Sequence, residues 1–332
     1  MFETSQKLVT VIIPILNEYD GIPYLVDSLN QFFESSTNLK GEVIFVNDGS
    51  QDDSAKRLQE MMHKAYCAKV INLSRNFGSH AALRAGVAHA NGDYICFNYA
   101  DLQDPLELIT IMKAKMDQGN GIVWAQRETG SISLLERFFS TSYAYLMKKF
   151  AFSNFPEKGF DIVMFDKKVA KELVLNVEAN SSIFLQILGL GFRQTSITYR
   201  KRDRQTGKSK WTLSKKIKLL VDSFVAFSFA PIRLVSIIGI LFFILGLTWT
   251  GYIIFRKLVF NDLDSGWPAL VSILMLGFGI TNIALGIIAE YLWRTLDASR
   301  KRPVYIIDEV VDLNLGKVKY NILPKFESVT PL

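Results

Sequence analysis

The run CFNYADLQDPLE, Cys96 to Glu107, closes an apolar stretch with Asp101, Gln103 and Asp104, and Tyr99 stands two places before the first acid. An aspartate beside an amide oxygen can serve a hard divalent cation, Mg2+ or Mn2+, when a substrate's phosphates supply the remaining oxygens. Such ions commonly take only one or two protein carboxylates. A neutral phenol with a pKa of about 10 is a poor hard-cation ligand, so Tyr99 does not stand in for a second acid. Asp104 has a local reading: Pro105 follows it and Glu107 lies three places on, the pattern of an N-cap with its capping-box partner. The structural alternative for the whole stretch is a strand running into a capped helix.

Three other apolar runs end in similar groups. LVTVIIPI, which contains Pro14, leads to Asn17 and Glu18; GEVIFVND ends on Asp48; AKVINLS leads to Arg75 and Asn76. These β-branched runs alternate with helical stretches such as Asp53 to Ala65 and His80 to Ala90. The alternation argues for an α/β fold with a mainly parallel sheet covered by helices on both faces. Ligands of such sheets bind beyond the carboxyl ends of the strands, so these polar termini belong to one expected nucleotide or phosphate pocket. Gly78 and Gly86 suit close backbone approach or tight helix packing.

Beyond about Tyr199 the chain changes solvent. Over its 332 residues the hydrophobic share is 49% and the mean hydropathy +0.18, high for a soluble protein. Residues 234–255 and 266–289 lack charge, each about the length needed to cross a hydrocarbon core of about 30 Å. Lys208, Lys210, Lys215, Lys216, Lys218 and Arg233 precede the first span, and Arg294, Arg300, Lys301 and Arg302 follow the second. The positive-inside rule therefore predicts a hairpin with both termini cytoplasmic, with Trp249, Trp267 and Trp293 compatible with interfacial anchoring. No basic n-region opens the chain, which agrees with a cytoplasmic N-terminus. In WTLSKKIKLLVDSFVAFS, Leu213, Ile217, Leu220, Val221 and Phe224 share a helical face away from Lys215, Lys216 and Lys218, as in a helix lying among lipid headgroups. The net charge of +6 thus belongs beside lipid, and nucleic acid is the weaker partner. Two cysteines and three scattered histidines offer neither a disulfide framework nor a zinc site.

The segments VIIPILNE, VNDGSQDDS, LSRNFGSHAALRAGVAHANGDY and ADLQDP together resemble a family 2 glycosyltransferase of GT-A (Rossmann-like) fold. The nearest branch is the membrane-bound polyprenyl-phosphate glycosyltransferases, akin to bactoprenol glucosyltransferase and dolichol-phosphate mannose synthase. The resemblance covers nearly the whole chain. It implies a GT-A domain at 1–210, an interface helix at 211–229, a transmembrane hairpin at 230–295 and a cytoplasmic tail at 296–332.

The resemblance also implies roles. Pro14, Asn17, Glu18 and Asp48 hold the nucleotide, with Arg75 and Asn76 at the same strand ends. Asp101 and Gln103 match the later part of the metal motif, whose first acid falls on Tyr99. Arg127, Arg137 and Ser140 match groups that hold the acceptor phosphate. Asp161 matches an aspartate near the reacting sugar, as base or as orienting group. Arg204 and Lys210 match cations that close over the donor phosphates. The implied reaction inverts the anomeric carbon as a sugar passes from a nucleotide donor, UDP-linked (UDP-glucose, for example), to undecaprenyl or another polyprenyl phosphate, for envelope glycan modification. The implied setting is a multi-pass protein of the bacterial inner membrane with its catalytic domain in the cytoplasm. Small residues in the spans (Gly277, Gly279, Gly286) allow a homo-oligomer or simply pack the hairpin. Rival readings are a processive polysaccharide synthase, for which no Gln-x-x-Arg-Trp segment is present, a lipid-sugar carrier, and a catalytically silent membrane scaffold.

Overall fold

The computed structural model describes residues 6–36, 38–128, 141, 144–149, 151–152, 155–156, 162–177, 181–201, 230–260, 266–300, 302–314 and 318–320. Arg137, Ser140, Asp161, Arg204, Lys210 and the expected interface helix lie outside these residues.

Strands β1 (Leu8–Ile15), β2 (Lys40–Asn47), β3 (Cys67–Leu73) and β4 (Tyr94–Phe97) alternate with helices α1 (Ile22–Ser35), α2 (Ser54–Glu60) and α3 (Ser79–His89). Then come α4 (Glu107–Asp117), β5 (Ile122–Arg127), β6 (Ile162–Asp166), α5 (Lys167–Leu175), α6 (Ile183–Gly189) and β7 (Gln194–Tyr199). The described sheet runs β7-β5-β6-β4-β1-β2-β3-β8-β9, where β8 is Ile307–Asp312 and β9 is Val318–Tyr320. Pairing is parallel among β1 to β4 and between β5 and β7; β6 and β8 run the other way. The expected mainly parallel sheet is present.

Strands buried on both faces need apolar residues in both registers, and β1 and β2 supply them. Val9, Val11, Ile13 and Ile15 face one core with Leu25 and Leu29 of α1, Leu58 of α2 and Met112 of α4. Ile12, Ile44 and Val46 face the other with Leu83 of α3, Leu173 of α5 and Ile187 of α6. Gly86 brings α3 against β1: a Cβ there would lie 2.3 Å from Ile12 Cγ2. Helix α2 is shorter than expected and stops at Glu60, because Met61 turns extended and the His63 ring folds back onto the Leu58 carbonyl at 2.9 Å.

The tail expected after residue 296 is in part a strand pair. β8 adds antiparallel to β3 and β9 to β8, with Val310 and Val311 buried. Asn314 reinforces this edge, its Oδ1 accepting from Ala68 N–H at 2.5 Å. β8 pairs with a strand some 240 positions earlier in the chain. A short segment with three acids in six residues carries no local sign of so distant a partner.

Two long helices, α7 (Ala230–Phe260) and α8 (Trp267–Ser299), pack against each other; α7 extends its charge-free run at both ends, and α8 extends its own past residue 289 only. Within the described residues, one helical stretch is long and apolar enough to cross a membrane, Leu276–Trp293 with a mean hydropathy of 1.4. α7 contributes a shorter apolar stretch, Ile237–Gly246.

Candidate active site

Sheet order creates an opening. Chain progression runs β1, β2, β3 to one side and then returns to place β4 on the other side of β1. Such a switch point is where open α/β sheets bind ligands. The β1–β4 ladder ends at Ile12 opposite Phe97, followed by one Asn98 N–H to Ile12 carbonyl bond at 3.0 Å, whereas β1–β2 pairing continues to Ile15. Pro14, which has no N–H to donate, lies where β4 has already left the sheet.

Three loops on the β1–β3 side form one platform. The Asn17 backbone has φ +52°, a conformation asparagine tolerates better than most; its side chain accepts Gln51 N–H at 2.8 Å and its N–H reaches Ser50 Oγ at 3.0 Å. Glu18 N–H donates to Ser54 Oγ at 3.0 Å, and Asp52 accepts from Tyr19 N–H and from the Ser54 hydroxyl. Asp48, 2% exposed, accepts Phe77 N–H at 2.7 Å and Gly78 N–H at 2.9 Å. Burial pushes its carboxyl pKa up, and the two backbone bonds offset this only in part. Arg75 and Asn76 stand exposed on the same loop, with the Arg75 guanidinium 4.2 Å from the Phe77 ring centre.

Gly49 locks the second loop to the third. At φ +67° a Cβ would fall 2.4 Å from the Arg75 carbonyl carbon and 2.5 Å from Asn76 N, both backbone atoms that cannot swing away. Gly49→Ala is expected to destabilise by about 2–4 kcal/mol from left-handed strain plus overpacking. Thermal melting of the purified protein checks this, and an unchanged midpoint would show that the loops separate at little cost.

Across the opening, Asp101 is half-buried in the β4–α4 turn and its Oδ1 accepts Gln103 N–H at 3.3 Å. Leu102 has φ +47°. With Asn17 it is one of two non-glycine residues of positive φ among the described residues, and the two lie on the loops that follow β1 and β4. Strain of this kind concentrates at ligand sites. Tyr99 packs on the second core; its N–H donates to Asn98 Oδ1 at 2.8 Å and its carbonyl accepts Leu102 N–H at 3.3 Å.

Asp104 departs from its expected role. α4 begins at Glu107 with Leu106 at the N-cap and no side-chain cap bond. Asp104 is instead 1% exposed, accepts the Tyr199 hydroxyl at 2.5 Å and lies 3.6 Å from Lys201 Nζ. Tertiary partners have taken the carboxylate that local sequence assigned to the helix.

Asp101, Gln103, Asp48, Asn17, Glu18, Arg75 and Asn76 all follow carboxyl ends of strands, and Arg127 ends β5, exposed, in register with Tyr199. Among the described residues no group of three or more His, Cys, Asp or Glu could hold a metal ion. The donor set at the turn, one carboxylate and one amide, suits a hard cation that brings phosphate oxygens and waters with it. Loop residues Ser50, Asp52 and Ser54, and Tyr199 and Lys201 as partners of Asp104, were not singled out from sequence; the serines and Asp52 are turn formers whose partners lie about 30 positions away.

A family model described as glycosyl transferase family 2 matches residues 10–174. Over 301 residues the chain is 32% identical to the uncharacterized glycosyltransferase YkcC of Bacillus subtilis (strain 168), covering 90% of this chain and 93% of the relative. It is 29% identical over 304 residues to a prophage bactoprenol glucosyl transferase homolog of Escherichia coli (strain K12), covering 91% and 99%. It is also 29% identical over 313 residues to an undecaprenyl-phosphate 4-deoxy-4-formamido-L-arabinose transferase of Klebsiella pneumoniae, covering 92% and 94%.

Proposed function

The chain belongs to glycosyl transferase family 2 and is a glycosyltransferase, and from that premise we propose that it moves a sugar from a nucleotide donor to a polyprenyl phosphate at a membrane surface. The observation that carries the reading is the opening between β1 and β4, with the strained Asp101–Gln103 turn on one side and the Asn17, Asp48 and Arg75 loops on the other. Relatives named for bactoprenol and undecaprenyl phosphate supply the acceptor class. The donor is UDP-linked in this proposal, UDP-glucose being the first to try.

The chemistry needs little covalent help from the protein. The leaving group is a nucleoside diphosphate, so negative charge grows on it in the transition state and fixed positive charge lowers the barrier. Mg2+ or Mn2+ supplies part of that charge when bound, with Asp101 and Gln103 as its protein ligands. Pro14, Asn17, Glu18, Asp48, Arg75 and Asn76 line the nucleotide side, and Arg204 and Lys210 close over the phosphates. The acceptor is a phosphate monoester, already anionic near neutrality with a second pKa of about 6, so it attacks without a strong base. Arg127, Arg137 and Ser140 orient it; the planar fork of arginine binds phosphate by two parallel bonds. Asp161 serves as a base or orients a sugar hydroxyl.

The domain at 1–210 is held to the cytoplasmic face of a bacterial inner membrane by the helix at 211–229 and by α7 and α8 crossing as a hairpin. Both helices leave large apolar side chains uncovered, Leu258 at 80% and Phe278 at 68% exposed among them, a state that water does not favour over such lengths. Arg300 lies 6.0 Å from the Trp293 ring centre, the pairing of an interfacial anchor.

The test is nucleoside diphosphate release from a panel of nucleotide sugars, with and without undecaprenyl phosphate and with Mg2+ or Mn2+. Release that requires the lipid supports the proposal. Lipid-independent polymer would favour a processive synthase, and no release under any combination a silent scaffold. A second carboxylate should tighten the cation, since affinity follows ligand charge. Tyr99→Asp is accordingly expected to lower the Mn2+ concentration for half-maximal rate about 3–10-fold, with some loss of thermal stability from the vacated packing. A flat metal titration would mean that Asp101 and the donor's phosphates already suffice.

A further inference from the structure

Asp104 lies only three positions after Asp101, yet its bonds lead across the sheet. The Tyr199 hydroxyl and the Lys201 ammonium converge on its Oδ1, at 2.5 and 3.6 Å. Tyr199 is the last residue of β7, stands in register with Arg127, and its carbonyl accepts Glu128 N–H at 2.8 Å. β7 is separated from β4 by β6 and β5. One buried carboxylate thus joins the turn that follows β4 to the strand end beside Arg127 and to the start of the basic run RKRDRQTGKSK, residues 200–210. An apolar side chain would pack the foot of α4 without desolvating a charge, and a buried carboxylate is unfavourable unless it holds partners. Strain makes an anchor necessary here. Leu102, at φ +47°, stands between Asp101 and Asp104, and a bulky residue keeps that conformation only when both flanks are held. Upstream, Asn98 Oδ1 holds Tyr99 N–H at 2.8 Å; downstream, Asp104 is the anchor.

We propose that Asp104 is a positioning residue that, through Tyr199 and Lys201, fixes the Asp101 turn relative to the end of β7 and so sets where the donor diphosphate lies. This rests on the glycosyl-transfer reading above. It makes the site a coupled pair: disturbance at the end of β7 is felt by the donor, although Tyr199 is buried and Lys201 is directed to Asp104.

Two single variants and their combination test it in the full chain in detergent: Asp104→Asn, Tyr199→Phe and the double. Calorimetry measures UDP binding in the presence of Mn2+, kinetics give KM for the nucleotide sugar and for undecaprenyl phosphate, and melting without metal reports on folding. Each single variant is expected to weaken UDP binding and raise the donor KM roughly 5–20-fold, the scale of losing one buried hydrogen-bond partner. The acceptor KM should stay within about twofold. Asp104→Asn keeps an oxygen for the Tyr199 hydroxyl and removes the charge that faces Lys201, so the double variant, which removes both contacts, should bind UDP more weakly than either single. Should Asp104→Asn not fold, Tyr199→Phe, which keeps the ring, carries the test. UDP affinity and donor KM unchanged beside a lowered melting midpoint would reduce Asp104 to a structural role, and equal shifts in donor and acceptor constants would also overturn the proposal. A wild-type protein that binds no nucleoside diphosphate would remove the glycosyl-transfer reading and this inference with it, whereas a binding wild type with unaffected variants removes the inference alone.

Discussion

Asp101→Asn is expected to lower the rate of sugar transfer by roughly 10²–10³-fold, the scale seen when one electrostatic stabiliser of a developing anion is removed, while the fold remains intact. The change is isosteric, and an asparagine oxygen can still accept Gln103 N–H, the bond that Asp101 makes at 3.3 Å. Half-exposed in its turn, the side chain contributes little to the core. On the proposed mechanism, what disappears is the negative charge that would pair with Mg2+ or Mn2+ at the donor's diphosphate, and two neighbouring acids are already engaged. Asp48 is bonded to Phe77 and Gly78 N–H, and Asp104 to Tyr199 and Lys201. The assay is lipid-dependent UDP release at saturating donor, beside a melting curve and a membrane-fraction assay. Near wild-type turnover would remove Asp101 from the metal role.

Glu42→Ala is expected to cost about 3–5 kcal/mol of stability, because it leaves partners of a buried ion pair uncompensated. Glu42 is 2% exposed in the middle of the sheet. Its Oε1 meets Lys69 Nζ and Asn91 Nδ2, both at 2.7 Å, and its Oε2 accepts from Thr10 Oγ1 at 2.5 Å and Asn91 N–H at 2.9 Å. One carboxylate therefore binds β1, β2, β3 and the turn before β4. Burial pushes its pKa up, but the bonds from Lys69, Thr10 and Asn91 together outweigh that and hold it below the ordinary glutamate value. The sign follows: the contribution is complete above the unfolded value, about 4.3–4.5, and is lost as pH falls through the depressed folded value. Melting of wild type and Glu42→Gln between pH 3 and 7 should show a gap that narrows below about pH 4.5. A constant gap would mean that hydrogen bonding alone, without charge, holds the three strands.

How much of this was legible in the sequence depends on the distance over which each cause acts. The strands from Leu8 to Phe97 were visible because burial on both faces demands unbroken apolar runs, which local sequence displays. Residues after those runs could be nominated for the site because the connection of a parallel sheet leaves its loops at one rim. Gly78 and Gly86 were marked for close backbone approach or tight helix packing; Gly86 meets Ile12 in that way, whereas a Cβ on Gly78 would meet nothing within 4 Å and its φ of +95° is what suits glycine there. Asp104 was misread, since Pro105 and Glu107 satisfy a local rule for a helix cap whereas Tyr199, 95 positions on, holds the carboxylate. The strands after α8 were missed for the same reason, their partner β3 lying far back in the chain.

By itself the sequence determined the alternation of strands and helices, the charge-free runs of α7 and α8, and the residue types at the rim, because these follow from periodicity and transfer free energy over a few neighbouring residues. Only the tertiary structure decided that β4 crosses to the far side of β1, that Asn17 and Leu102 take left-handed backbones on the loops beyond that divide, and that Asp104 faces β7. Each of those depends on which distant surfaces bury one another, and a side chain's partner in such a contact is chosen by the packing of whole layers.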